Sequence, residues 1–124
     1  MTDRHAIRAD NAPPPAGPYS HAIKSGGFVF LSGQGPFRPD GSKIETPFEE
    51  AARQTFRNLE AVAAAAGAKL TNAVRVGVYL RDMSNFAAMN KVYMEFFSEP
   101  YPTRTTIQSN LPGFEIEIDC VIAV

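Results

Sequence analysis

Two short segments near the C-terminal end hold the side chains best placed to do chemistry. In YPTRTTIQ, residues 101–108, Arg104 stands among β-branched residues, and its nearest acidic neighbour is Glu99. In FEIEIDC, residues 114–120, Glu115, Glu117 and Asp119 alternate with Ile116, Ile118 and Cys120. A strand turns successive side chains to opposite faces. Arg104, Thr106 and Gln108 therefore share one face, and the three acids share another. With the isoleucines turned toward helices, this reading sets the arginine and the acids together on the uncovered face of one sheet. A guanidinium and a carboxylate on one surface make a candidate binding site. The alternative is a solvated cation paired with Glu117 or Asp119 and doing nothing else.

Other residues carry less. Tyr19, in GPYS, is an amphipathic ring after a rigid turn, and surface packing accounts for it equally well. Ser32 lies in LSGQG, which lacks the G-x-S-x-G pattern and offers no paired base, so hydrogen bonding is the reading for it. The G-x-G there is not followed by a capped helix, as a phosphate loop requires. Asn90 stands mid-helix between Met89 and Lys91, where a polar residue is usually exposed. Cys120 shares parity with the isoleucines and reads as a small buried hydrophobe. His5 falls in the N-terminal arm and His21 in a short strand. Two histidines and one cysteine cannot assemble a metal cluster.

The elements that must position these residues follow from periodicity and turn chemistry. Residues 1–16, ending in NAPPPAG, read as an extended arm. SHAIKSGGFVFLSGQ gives two strands broken at Ser25-Gly26-Gly27. GPFRPDGSK is loop. Thr46-Pro47-Phe48-Glu49 has the form of a capping box with Thr46 as N-cap. Phe48, Ala52, Phe56, Leu59, Val62, Ala63 and Ala66 then recur on one helical face, with Gly67 as the stop. NAVRVGVYLRD alternates as a strand, with Val74, Val76, Val78 and Leu80 inward and Arg75, Gly77 and Tyr79 outward. A second helix starts at a Ser84 or Asn85 cap and carries Phe86, Met89, Tyr93, Phe96 and Phe97 on one side. It ends at SEPYP. The strands of Arg104 and Glu117 close the chain. The predicted order is ββαβαββ, an α+β mixed sheet with both helices on one face and the other face bare.

At 124 residues the chain suits one domain, 1–124. Its 12 Lys plus Arg against 13 Asp plus Glu give a net charge of -1, which argues against nucleic acid as a partner, since little cation is available to displace counterions. AVAAAAGA, the longest apolar run, is far short of a membrane span, so no membrane partner is expected. One cysteine and no recognisable secretion signal suggest a reducing, cytoplasmic setting.

The segments NAPPPAGPYSHAI, FVFLSGQGP, ARQTFRNLEAVAAAAGA, VGVYLRDMSNFAAMNKVYMEFF, YPTRTTI and IEIDCVIAV, in that order, resemble the RidA (YjgF) family of reactive-intermediate deaminases from Asn11 to Val124. The resemblance implies a chorismate-mutase-like fold and a homotrimer with sites in the clefts between subunits. It implies hydrolysis of 2-imino acids, derived from enamines such as 2-aminoacrylate, to 2-oxo acids and ammonia. It also implies roles: Arg104 holds the substrate carboxylate, Glu117 orients the attacking water, and Tyr19, Ser32 and Asn90 line the site. Arginine's fork suits a planar carboxylate, and an iminium carbon is electrophilic enough to need only orientation and one acceptor for water. No cofactor or metal is expected. Two departures stand out. Thr106 occupies a position where many members have cysteine, leaving its main-chain carbonyl to help hold water, and the turn LPGFE is one residue shorter than the family pattern. Rival readings are the same fold acting on another carboxylated enamine or an aromatic-catabolism intermediate, and a non-catalytic, trimeric, chaperone-like binding protein.

Overall fold

The computed structural model describes residues 2–124. Its centre is the strand the sequence writes most plainly: β6 (Ile116–Ala123) buries Ile116, Ile118, Cys120 and Ile122 and turns Glu117 and Asp119 the other way. Around it lie β1 (His5–Ile7), β2 (Ala22–Ser25), β3 (Phe28–Gln34), β4 (Ala73–Leu80) and β5 (Thr103–Gln108). The spatial order is β1-β2-β3-β6-β4-β5. Neighbours are antiparallel except β4 and β5, which run parallel and are joined by α2 (Phe86–Phe96). The helix α1 (Phe48–Ala65) connects β3 to β4. Both connections set their helices on one face, where Val29, Val76, Val78, Leu80 and the β6 isoleucines pack against Phe56, Leu59 and Val62 of α1 and Met89 and Val92 of α2. This is the expected α+β arrangement with one more strand.

That extra strand corrects the reading of residues 1–16 as an arm without elements. His5, Ala6 and Ile7 pair with Lys24, Ile23 and Ala22. Further along the arm, Ala9 and Ala12 enter the core. His21 holds the segment down: its Nδ1 accepts from the Ala9 N–H at 3.0 Å, and its Nε2 lies 2.7 Å from the Pro13 carbonyl, to which it donates. His21 thus lies just before β2 rather than within it, as a buried tie.

The hairpin at Gly26-Gly27 forms as read, with φ of 56° and 84°, values that glycine adopts without steric cost. Helix α1 ends as read too. Gly67 has φ of 72°, and the Ala68 and Gly67 N–H groups bond to the carbonyls of Ala63 and Ala64 at 2.9 and 3.0 Å. Its start differs. Pro47, not Thr46, is the N-cap, with extended backbone and no side-chain cap. The one-residue offset breaks the capping box and places Glu50 at the third helical position, where it pairs with Arg53 at 2.8 Å. At the second helix Asn85 stands at the N-cap without a side-chain bond, and Asp82 instead accepts from the Ser84 N–H at 2.9 Å in the turn before it.

In β4 the alternation begins one step late. Val74 is 41% exposed, because a register shift against β6 between Ala73 and Arg75 inserts an extra residue. Gly77, expected outward, is buried because the Asp119 carboxylate lies against it.

Candidate active site

The Glu117 side is built at an irregularity in the sheet. Pairing between β3 and β6 shifts between Leu31 and Gln34, so Ser32 and Gly33 fall in a bulge. The Glu117 carboxylate lies over Gly33, where any Cβ would come within 2.8 Å of Oε2. Only glycine leaves that space. Ser32 donates from Oγ to the Ser20 carbonyl at 2.7 Å and from its N–H to the His21 carbonyl at 3.0 Å. Its hydroxyl clamps the loop that carries Tyr19, as the hydrogen-bonding reading expects. Tyr19 takes the Ala16 N–H on its hydroxyl at 3.0 Å and leaves its ring 46% exposed. Tyr19, Ser32, Gly33 and Glu117 together line one recess of about 260 Å³. Burial, and then the negative charge of Asp119, push the Glu117 pKa above the usual carboxylate value. The LPGFE turn leaves the expected register of β6 intact, with Glu117 opposite Tyr79 on the open face.

Arg104 is elsewhere. It pairs with Val76, which pairs in turn with Cys120, and directly opposed residues face the same way. That row is the helix-packed one, so the expectation that Arg104 shares the open face with the acids is overturned. The reason is the neighbour: β5 lies against β4, whose buried valines fix which side Arg104 and Thr106 take. Ile107, with the opposite parity, is the exposed residue. At the sheet edge the helix layer ends, so a cation there reaches solvent.

The guanidinium is caged rather than paired. Its carbon lies 4.7 Å from the centroid of the Tyr93 ring and 5.7 Å from that of Phe86, and Nη1 is 3.9 Å from the Met89 sulfur. These are cation–π contacts, which hold a positive charge without neutralising it. The proposed pairing with Glu117 or Asp119 does not form. Asp119 accepts from the Tyr79 hydroxyl at 3.0 Å and faces Arg75 at 3.7 Å. Arg104 lines an open cleft of about 380 Å³ with Asn90, Tyr93 and Tyr101. Asn90, read as an ordinary surface residue, is thus half-buried beside it. The hydroxyls of Tyr93 and Thr106 are buried without a hydrogen-bond partner.

The structure therefore brings Tyr19, Ser32 and Glu117 together, and separately Arg104 and Asn90, with Thr106 on Arg104's face. It does not bring the two groups together on one chain. Sequence reasoning missed Gly33, although a glycine inside a strand pattern signals close approach. It also missed the aromatic cage, which only the β4–β5 pairing reveals. Cys120 is 2% exposed, and burial pushes its thiol up to about 12, so it is the inert hydrophobe expected.

Comparisons with known proteins agree with this architecture. The family model described as Endoribonuclease L-PSP matches residues 9–124. A RutC family protein of Pyrococcus horikoshii is 42% identical over 121 residues, covering 95% of this chain and 96% of the relative. The 2-iminobutanoate/2-iminopropanoate deaminase of Dermatophagoides farinae is 36% identical over 127 residues, covering 100% and 99%. Among solved structures, RidA from Psychrobacter sp. superposes with a TM-score of 0.91 at 38% identity, covering 98% and 100%. The chain belongs to the RidA (YjgF) family.

Proposed function

We propose that this protein is a hydrolytic deaminase of 2-imino acids such as 2-iminopropionate, working as a homotrimer with each site shared between two subunits. Arg104 of one protomer holds the substrate carboxylate, with Asn90 beside it, while Glu117, Tyr19 and Ser32 of its partner hold water against C2. The observation that carries the reading is the unspent pair: a caged guanidinium with no carboxylate partner among the described residues, and a carboxylate whose pKa is raised by burial and then by the charge of Asp119. Because the two groups occupy different surfaces, the contact joining them is heterologous, and such a contact makes a ring when its rotation closes. A ring of three is what the family resemblance implies.

The chemistry follows from the groups. Water attacks the iminium carbon as Glu117 takes one of its protons. The raised pKa makes Glu117 a base able to give that proton back. Delivered to nitrogen, the proton lets ammonia leave; as the 2-oxo acid forms, Glu117 takes the remaining hydroxyl proton and passes it to the departing ammonia, which leaves as ammonium. Thr106 contributes its main-chain carbonyl only. The word endoribonuclease in the family description suggests RNA, but a net charge of -1 supplies little of the cation that a phosphate backbone requires.

The test uses Arg104→Lys and Glu117→Gln, each strongly impaired alone as a homotrimer. Unfolded together and refolded at equal ratio, they form interfaces carrying one intact half from each chain. In a ring these are about a quarter of all interfaces, so about a quarter of wild-type activity returns. A site contained within one chain recovers none.

A further inference from the structure

A second recess opens on the far side of Tyr19 and Glu117. It has a volume of about 360 Å³ and shares Tyr19, Gly33 and Glu117 with the smaller recess, so the two adjoin at the carboxylate. Its walls are mostly apolar: the Pro13–Pro15 segment, Ala16, Phe37 and Phe114.

These walls are fixed. His21 spends both ring nitrogens on the arm, one of them on the Pro13 carbonyl. Phe37 and Phe114 stack edge-to-face with centroids 5.4 Å apart. The loop after β3 that carries Phe37 is tied to α1, because the Asn58 amide donates to the Gly35 carbonyl at 3.1 Å and to the Phe37 carbonyl at 2.7 Å. A preformed, largely apolar hollow of this size lies in the range of small-molecule sites.

We infer that this recess receives the substrate's side chain, so that the protein prefers 2-imino acids with a large apolar group, branched or aromatic, over 2-iminopropionate. The inference rests on the deaminase reading. C2 of the substrate has three substituents. With the carboxylate at Arg104 of the neighbouring protomer and C2 beside the water on Glu117, the side chain and the nitrogen take the remaining two directions. The iminium N–H groups are best answered by the Glu117 carboxylate, whereas a hydrocarbon group gains by leaving water against the prolines and phenylalanines. A methyl group leaves most of the hollow unfilled.

The experiment measures kcat/KM on imines generated in place by an amino-acid oxidase from alanine, leucine and phenylalanine. In the wild type the leucine and phenylalanine imines are expected to exceed the alanine imine by about 10-fold or more. Ala16→Trp, which fills the hollow, and Phe114→Ala, which removes a wall, should each bring that ratio toward one. In parallel, Kd is measured for pyruvate, 4-methyl-2-oxopentanoate and phenylpyruvate, which keep the side chain and carboxylate and need no turnover. Tighter binding of the larger oxo acids, lost in Ala16→Trp, supports the pocket even if no imine is hydrolysed, a result that would sink the deaminase reading alone. A wild-type ratio near one in both measurements, or a preference for large groups that survives in Ala16→Trp, overturns the inference.

Discussion

Among the described residues neither Glu117 nor Arg104 has an ionic partner, yet their surroundings treat the charge differently. Glu117 sits in a strand interior over a glycine, half-buried, with Asp119 on the same face of the same strand. Burial and a like charge both work against its ionised form. Arg104 sits on an edge strand against two aromatic rings and a sulfur, surroundings that favour a cation while engaging its donors only weakly, Nη1 on the Met89 sulfur. One half of the site thus holds a proton readily, and the other holds a fixed charge. A hydrolase that must accept a proton and grip an anion needs that asymmetry.

Removing the acid breaks the comparison most completely. Glu117→Gln keeps the shape of the recess and abolishes proton acceptance, so kcat should fall by about 100-fold or more. The same variant should be more heat-stable than the wild type above neutral pH. Because the folded pKa is raised, the folded state gives up its proton at higher pH than the unfolded chain, whose reference value is 4.5. The wild type therefore loses stability as pH rises through the folded pKa, and the loss is absent below 4.5. Melting temperatures of both proteins across pH 4 to 8 should converge at the acid end. Curves that run parallel would mean the carboxylate is not penalised by its surroundings.

Arg104→Lys tests the other half. Lysine preserves the charge and can sit in the same aromatic cage, but it cannot grip a carboxylate with two parallel bonds. The expected loss is about 30- to 1000-fold in kcat/KM, corresponding to roughly 2–4 kcal/mol. A change within about 0.5 kcal/mol in a folded oligomer would return Arg104 to the role of a surface charge.

Gly33→Ala sharpens the contrast without deleting either group. The added methyl would meet Oε2, Cδ and Cγ of Glu117 at 2.8, 2.9 and 3.0 Å, so the carboxylate, the freer partner, must move. Activity should drop by about 10- to 100-fold while the aromatic cage is untouched, since small misplacements of a catalytic group are costly. The check is kcat against the affinity for a 2-oxo acid: the first should fall far more than the second.

How much of this could be read from the sequence differs between the halves. The β6 alternation, the α1 stripe with its Gly67 stop and the Gly26-Gly27 hairpin are local patterns, and local physics settles them. Glu117 faces the open side because Ile116 and Ile118 on its own strand demand the core. Arg104 has no such demand beside it. Thr103, Thr105 and Ile107 all tolerate exposure, so parity correctly groups Arg104 with Thr106 but cannot say which face they take. That depends on β4 lying next to β5, a long-range pairing. The edge strand β1 is invisible for a similar reason: three residues acquire strand character from β2 and from the His21 tie. The expected capping box that does not form is a smaller error, one residue of register at Pro47.

Thr106 gives the smallest expected effect and tests whether the Arg104 half uses a hydroxyl at all. Its Oγ1 is buried and has no partner, a state that costs stability because the hydroxyl has lost water and gained nothing. Thr106→Val keeps the β-branch that suits the strand and replaces the hydroxyl with a methyl of similar size. The folded protein should gain about 1 kcal/mol, read as a higher midpoint in urea unfolding with an unchanged slope. If only the main-chain carbonyl at this position takes part in holding water, kcat/KM should stay within about twofold. A loss of about tenfold together with the stability gain would mean that the hydroxyl's missing partner is supplied by the substrate or its water. Thr106 would then belong to the binding half alongside Arg104.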